Sequence, residues 1–526
     1  MIVNATDISE AKTTVSKTII VGSGPVGLIL AIFLSRQGCP VLLIEGGASI
    51  ARPEVANDLK AEITASGLPG ITVGRTRQIG GGLNLWGGQL ASLELSEFDA
   101  QSDGSLGWPI TSSEIKSRFP KVAELLGEPS ISLPPQSDLF DAERGALAAV
   151  GLDVVATAWL KRPKLSANLW RELRHSPIIT LVHGAFVDRI CCDRVNGTVE
   201  GVSALLENGE RIRFAGTNTV LACGTIETSR LLLQTSESGS AQPWHALPWL
   251  GRGFNEHLDA TTGTIRPLNR KRLLDFFDPI MIDGTKYTHK IFSQTEGMDG
   301  FSLSCVAMLS MPGNMRNSIA ELRMLLRTLA PRQAHRDIFR IATAAITSAR
   351  EIAPVTWRYL RHKRISSVFR GGAALRVSVE QPVRAECRIT LSSQMRDRRG
   401  VPAASIYWKT GAEEGNAFLD VTRKVKRWAE VNAIAELKID QLLLQDPAAF
   451  AARADDGLHH SGGVRMTRMP QDGVVDLDLK VFGVERLYCC GSAVFPRSGF
   501  ANPTMTAMAL AVRLGEHLIA TGRAAA

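Results

Sequence analysis

The sequence predicts an α/β protein, α+β overall, in which a discontinuous Rossmann-like domain is interleaved with a second domain built on an antiparallel sheet and helices. Three observations carry that expectation. A strand–glycine–helix unit opens the chain, further strand–glycine junctions stand near residues 221–233 and 484–492, and segments of alternating polarity fill much of the stretch between the last two. At 526 residues the chain is too long for one compact core, because single cores stop growing beyond about 250–300 residues.

The elements follow in order. Thr18 to Val21 is β-branched and apolar, residues 25–36 have helical composition, and Val41 to Ile44 reads as a second buried strand, which makes a βαβ start. Prolines 109, 120, 129, 134 and 135 mark a loop-rich excursion over 101–179. Strands return near 179–223, ending in Thr219 to Cys223 and a helix from about 226 to 234. Segments such as Ala374–Val379 and Cys387–Leu391 alternate as antiparallel strands with one wet face. A helix near 415–436 carries Phe418, Val421, Val425, Trp428 and Val431 on one stripe. The expected division is 1–100, 180–258 and 455–526 for the nucleotide domain, 101–179 for a connecting excursion or lid, and 259–454 for the second domain with a basic helical insertion at 315–370.

Composition excludes several classes. The apolar and charged shares, 44% and 21%, are those of an ordinary globular protein. The formal charge of +8 is local, since residues 316–370 hold twelve Arg or Lys against Glu321, Asp337 and Glu351, a net +9. The rest is nearly neutral, so no nucleic-acid partner is expected. Within the basic segment Ile319, Leu322, Leu325, Leu326 and Leu329 form an apolar stripe flanked by arginines, the pattern of a surface-lying helix that docks on an anionic membrane or an acidic electron acceptor, or of a solvated insertion covering the second domain. The first 18 residues lack the apolar run of a secretory signal. Eight cysteines occur without a Cys-x-x-Cys pair or a His at ligand spacing, which points to reduced thiols, no metal and a cytoplasmic protein.

The chemistry starts at Ile19-Ile-Val-Gly-Ser-Gly-Pro-Val-Gly27. Gly22 permits the tight turn, Gly24 lets backbone approach a pyrophosphate, and Gly27 lets helix and strand pack closely. A diphosphate at this helix N-terminus meets free N–H groups and the positive end of the dipole. Glu45 ends the second strand, where an acid binds a ribose diol. Three junctions threaded through the whole chain suit a long cofactor better than a compact nicotinamide domain.

With these residues the chain resembles the glucose–methanol–choline (GMC) oxidoreductase family, in the branch of pyranose oxidases and related bacterial sugar-oxidising enzymes. The resemblance rests on the fingerprint with Glu45, on Gly80-Gly-Gly-Leu-Asn-Leu-Trp-Gly-Gly88, on Ala222-Cys-Gly-Thr-Ile-Glu-Thr-Ser-Arg230, on His459-His-Ser-Gly-Gly-Val-Arg-Met466 and on Gly491-Ser-Ala-Val-Phe-Pro-Arg-Ser-Gly-Phe-Ala-Asn-Pro-Thr504. It implies FAD held by Gly22, Gly24, Gly27 and Glu45 at the ADP half, Asn84 and Trp86 beside the flavin ring, Val187 at the adenine, and Gly224, Ser492 and Pro503 at the other junctions. Some relatives attach FAD covalently through a His before that loop's Trp. Leu85 stands there, so the FAD is expected to be non-covalent. His257, in Gly251-Arg-Gly-Phe-Asn-Glu-His257, matches an element near the cofactor and reads as a structural histidine.

The resemblance makes His459 the base that takes the hydroxyl proton while hydride leaves carbon for flavin N5. Asn502 then holds the substrate oxygen, and by its place before Pro503 it also reads as a helix N-cap. His460, the next residue, is expected to face elsewhere, and Gly463 stands where many relatives have Thr. The implied reaction is oxidation of a CH–OH group of a small-molecule alcohol or sugar, most readily a secondary hydroxyl of a sugar or glycoside, with oxygen or a quinone-like carrier as electron acceptor. A nicotinamide-dependent Rossmann dehydrogenase and a non-catalytic FAD-binding module are the alternatives.

Overall fold

The computed structural model describes residues 1–8, 16–48, 59–65, 71, 74–98, 107–135, 141–163, 167–236, 238–296, 302–310 and 373–524. The basic insertion at 315–370 lies outside the described residues.

Two large sheets organise the chain. In the first, β1 (Ile2–Asn4), β2 (Ser16–Val21), β3 (Val41–Glu45), β7 (Ile179–His183), β8 (Phe186–Asp193), β9 (Thr198–Leu205) and β10 (Arg211–Leu221) lie in the order β1-β7-β3-β2-β10-β9-β8, and β20 (Leu487–Cys489) also pairs with β10. β1, β7, β3, β2, β10 and β20 run parallel. β10 divides its length, with Gly216–Leu221 pairing parallel to β2 and Arg211–Ala215 antiparallel to β9. β3 is buried along its whole length, as a parallel strand covered on both faces must be. Helix α1 (Pro25–Arg36) starts with Pro at its first turn and is buried from Val26 to Leu34, which explains its nearly continuous apolar composition.

In the second sheet, β5 (Gln89–Leu90), β6 (Asp153–Trp159), β11 (His257–Pro267), β13 (Thr285–Glu296), β14 (Ser302–Ser310), β15 (Ala373–Glu380) and β18 (Ala435–Ile439) lie in the order β18-β11-β15-β14-β13-β6-β5, with β12 (Ile280–Ile282) on β13 and β19 (Asp455–Asp456) on β11. All of these pairings are antiparallel. Leu258, Ile291, Cys305, Val377 and Val379 on one face form a core with Phe418, Val421, Val425 and Trp428 of helix α3 (Ala412–Val431). The opposite face follows from the two-residue alternation of a strand. It carries His257 and Asp259 of β11, Arg376, Ser378 and Glu380 of β15, Ser304 of β14, and Lys290, Phe292 and Gln294 of β13. On this face Phe292 and its cross-strand partner Val306 join the apolar core of the first sheet, and the polar side chains stand around them.

Two segments fall differently from their expected places. β6 comes from the excursion at 101–179 yet pairs with β13 inside the second sheet. The hairpin β16 (Arg388–Arg396) and β17 (Pro402–Tyr407) does not extend that sheet but forms a small separate one with β4 (Glu62–Ile63). Local alternation shows that a strand is half buried and is silent about which strand it pairs with. Among the described residues no helix is long and apolar enough to cross a membrane. All eight cysteines are free.

Candidate active site

The parallel strands bring the three glycine junctions together. Val21 is level with Ile44 and Leu221, and Leu221 with Cys489, so Gly22, Gly224 and Gly491 follow neighbouring strand ends. Ligands of open α/β sheets bind at such carboxyl ends. Helix α2 (Thr225–Leu233) starts from Gly224 at φ 81°, a left-handed conformation that favours glycine.

A cavity of about 300 Å³ opens there, walled by Gly24, Glu45, Val187, Gly224, Ser492 and Pro503, with Gly22 and His459 also on its wall. The glycines of the first turn divide their work by space. A Cβ on Gly22 would stand 2.7 Å from the Ala222 carbonyl oxygen and one on Gly27 only 1.9 Å from the Gly22 carbonyl oxygen, whereas a Cβ on Gly24 or Gly224 would meet no atom within 4 Å. The first two positions are closed by the protein's own backbone; the other two keep the cavity wall low. Glu45, 6% exposed, accepts from the Ser23 N–H at 3.1 Å, the Ser23 hydroxyl at 2.6 Å and the Gly47 N–H at 2.9 Å. Ser492 Oγ lies 3.0 Å from Thr225 Oγ1, which donates to the His460 carbonyl at 2.8 Å, joining the second and third junctions to the histidine loop.

The loop at 80–88 reaches the cavity with Gly81 and Gly82. Asn84 instead donates its amide to the Ile79 and Gly81 carbonyls at 2.9 and 3.1 Å, and the Trp86 indole donates to the Pro163 carbonyl. Those two side chains hold the shape of the loop that the resemblance places beside the flavin ring.

At the cavity's edge His459 is gripped from both sides. Its Nε2 lies 2.8 Å from Asn502 Nδ2, and its Nδ1 lies 3.0 Å from His257 Nδ1. An amide nitrogen only donates. In this amide orientation His459 Nε2 therefore accepts, which puts its proton on Nδ1, directed at His257. Burial first, then the neighbouring His257, Lys290 and His460, hold the His459 imidazole well below the usual histidine range, so it is neutral with its lone pair at Nε2. His257, read from sequence as a structural histidine, instead orients His459 directly. Asn502 is corrected too: helix α4 (Thr504–Ala524) takes its first bond from Ala507 N–H to the Pro503 carbonyl. Pro503 is then the cap residue, and Asn502, one position outside it, turns its amide to His459.

Buried acids position these groups. Glu256, fully buried, accepts from the His459 N–H at 2.6 Å and the His257 N–H at 2.9 Å through Oε1. Its Oε2 faces His460 Nε2 at 3.4 Å. Burial pushes the Glu256 carboxyl well above the ordinary carboxylate range and the His460 imidazole down to about 3. Burial thus disfavours charge on both partners of this contact. His460, also on the cavity wall, stacks on Phe254 with ring centroids 5.9 Å apart, and it is His459 that Asn502 bonds. The segment leading to Asn502 is tied by Glu380, which accepts from Arg497 Nε at 2.9 Å and the Gly499 N–H at 2.7 Å, and by Glu97, which accepts from the Phe500 N–H at 2.8 Å. Gly462 and Gly463 are both left-handed, and a Cβ on Gly463 would stand 2.5 Å from Ser229 Oγ, so a Thr has no room in this loop as it stands.

The sequence reading passed over Arg75 and Arg77, both on the cavity wall. Both bond to Glu227, at 3.1 and 3.2 Å, and Glu227 is lowered to about 2; burial opposes that shift, and Arg230, Arg77 and Arg75 outweigh it. Arg77 also lies over the Phe186 ring at 4.5 Å. The only signal was two arginines five and three residues ahead of a glycine run.

A strand-end cavity next to a histidine–asparagine corner defines a class: an FAD-binding protein with the GMC oxidoreductase fold. A family model described as GMC oxidoreductase matches residues 383–511, which include His459 and Asn502, and one described as FAD binding domain matches residues 15–63. A C-glycoside 3-oxidase of Microbacterium trichothecenolyticum is 30% identical over 138 residues, 26% of this chain and 25% of the relative. A 2-methyl-1,2-propanediol dehydrogenase of Mycolicibacterium austroafricanum is 27% identical over 145 residues, 26% of this chain and 23% of the relative. These alignments thus span about a quarter of the curated relatives' length. Among solved structures, pyridoxine 4-oxidase from Mesorbium loti superposes with a TM-score of 0.56 at 15% identity, covering 95% of this chain and 99% of that one. Formate oxidase does so at 0.58 and 16%, covering 97% and 99%.

FAD is the cofactor that the matching FAD-binding domain takes, and the residues of the cavity fit it. Gly24 and Gly224 leave open space, and Glu45, Val187 and Ser492 stand on the wall.

Proposed function

We propose that the protein is a GMC-type FAD-dependent oxidoreductase that oxidises a CH–OH group, a secondary hydroxyl of a sugar or glycoside, with FAD held non-covalently. The observation that supports this best is the bond of 2.8 Å between His459 Nε2 and Asn502 Nδ2 at the edge of the FAD cavity. A substrate hydroxyl that displaces this bond loses its proton to the freed His459 Nε2 lone pair, while the released Asn502 amide donates to the oxygen as it becomes an alkoxide. FAD, when bound, supplies the hydride acceptor. His257 accepts from His459 Nδ1–H and fixes the ring, and the charge His459 gains is shared across that contact. Gly22, Gly24, Gly27, Glu45, Val187, Gly224, Ser492 and Pro503 form the cofactor wall in this reading, with Asn84 and Trp86 as supports of its loop. The domain division of 1–100, 180–258 and 455–526 against 259–454 belongs to the same reading. The sugar preference is supported by the C-glycoside 3-oxidase among the similar proteins. Oxygen is the acceptor favoured by the oxidases among them, with a quinone-like carrier as the alternative.

The test is anaerobic. The purified protein is expected to be yellow, to lose that colour with a sugar or glycoside, and to release all flavin on acid precipitation because Leu85 offers no attachment atom. Yellow protein that no sugar, glycoside, sterol or simple alcohol bleaches would rule out the oxidoreductase reading, and colour kept in the acid pellet would rule out a non-covalent cofactor.

A further inference from the structure

The polar face of the second sheet carries a group that the reaction described above does not use. Lys290 of β13 is 8% exposed, and among the described residues its ammonium has no hydrogen bond or ion pair. Its place is fixed by register. Ile291 lies in the apolar core, so Lys290 and Phe292 share the other face, the face that presents His257 to His459 and Glu380 to Gly499. Phe292 packs against Phe500, two residues before Asn502, with ring centroids 5.1 Å apart. Lys290 therefore stands one step along the same strand from the wall of the catalytic corner, near enough to disfavour a charge on His459. Asp259, across the face, accepts from Arg376 at 3.0 Å, and among the described residues no carboxylate forms an ion pair with the lysine. Burial pushes its ammonium down to about 8. A desolvated cation without a partner is costly to keep, and the same desolvation makes it a strong site for an anion.

We propose that Lys290 selects alcohols that carry a carboxylate, so that the substrate class is an acidic sugar or an acidic glycoside, held with its anion on Lys290 and its reacting hydroxyl between His459 and Asn502. This rests on the oxidoreductase reading above. It is tested with matched pairs, D-glucuronate against D-glucose and methyl β-D-glucuronide against methyl β-D-glucoside, in anaerobic flavin reduction by the holoprotein and its Lys290→Met variant. A charge-assisted contact gives the acid a preference of about tenfold to hundredfold in kcat/KM, residing in KM, and in the variant that ratio falls to one or below. A ratio at or below one in the unmodified protein, or equal ratios in protein and variant, overturns the proposal. Should Lys290→Met fail to fold, Lys290→Gln and the unmodified ratio decide. If no alcohol reduces the flavin, the oxidoreductase reading has failed, and spectral titration of the oxidised holoprotein with glucuronate and glucose still judges the lysine: selective, Lys290-dependent binding of the acid supports it, and equal binding overturns it.

Discussion

The FAD cavity is shaped by backbone, whereas the corner beside it is shaped by side chains. Gly22, Gly24 and Gly27 work by what they lack, since the space at each is closed by neighbouring main chain or left open for the ligand. His459, His257 and Asn502 work by reaching one another from separate parts of the chain, and buried acids tie the backbone that carries them. A site made of absent side chains tolerates almost no substitution but needs no precise charge state. A site made of buried polar side chains depends on where each proton sits.

That contrast can be broken most severely at Gly27. Gly27→Val must place carbon atoms where the Gly22 carbonyl stands, and the expected result is colourless or insoluble protein; a yellow, stable variant would show that the turn adapts. On the other side of the comparison, His459→Ala should keep the flavin yet slow its anaerobic reduction by roughly a hundredfold to ten-thousandfold. Asn502→Ala should cost about a hundredfold to a thousandfold, with little change in melting temperature because the residue does not cap helix α4. His460→Ala is the control, and stopped-flow traces in which it is more damaged than His459→Ala would move the base to the other histidine.

The smallest effect concerns the acids. Burial, with Glu380 nearby, raises the Glu97 carboxyl to about 8, against about 4.3 in an unfolded chain. Between those values the native state keeps a proton that the unfolded state has released, so this group's stabilisation is whole below the lower value and is lost as pH rises through the upper one. The slope is at most about 1.4 kcal/mol per pH unit. Denaturant titrations at several pH values should show it flattened in Glu97→Gln; parallel slopes would mean that this acid is ionised throughout.

The same contrast explains what the sequence revealed. Glycine spacing is a local constraint, so the junctions at 22, 224 and 491 and their strands were legible, as was the pairing of His459 with Asn502 once the resemblance had been drawn from five motifs. Register is not local. Nothing near residue 257 says that its ring meets residue 459, and the role of Lys290 exists only because β13 places it on the face opposite Ile291. The expected cap at Asn502 erred by one position, which is enough to turn a side chain from its own helix to the His459 ring. The bonds by which Asn84 and Trp86 brace their loop were not legible either, since a motif fixes a loop's course before it fixes where each residue points.

The alignment of Val21, Leu221 and Cys489 across adjacent parallel strands also sets a timetable. A ribosome completes the first junction hundreds of residues before the cavity's far wall, Gly491 to Pro503, emerges. Because domains form as their segments become available and distant pairings come at the expense of long loop closures, the nascent chain carries a finished fingerprint with nothing to close over it. Flavin capture is therefore a late event in the life of each molecule, and a chain stopped short of residue 487 would carry the nucleotide motif intact and remain colourless.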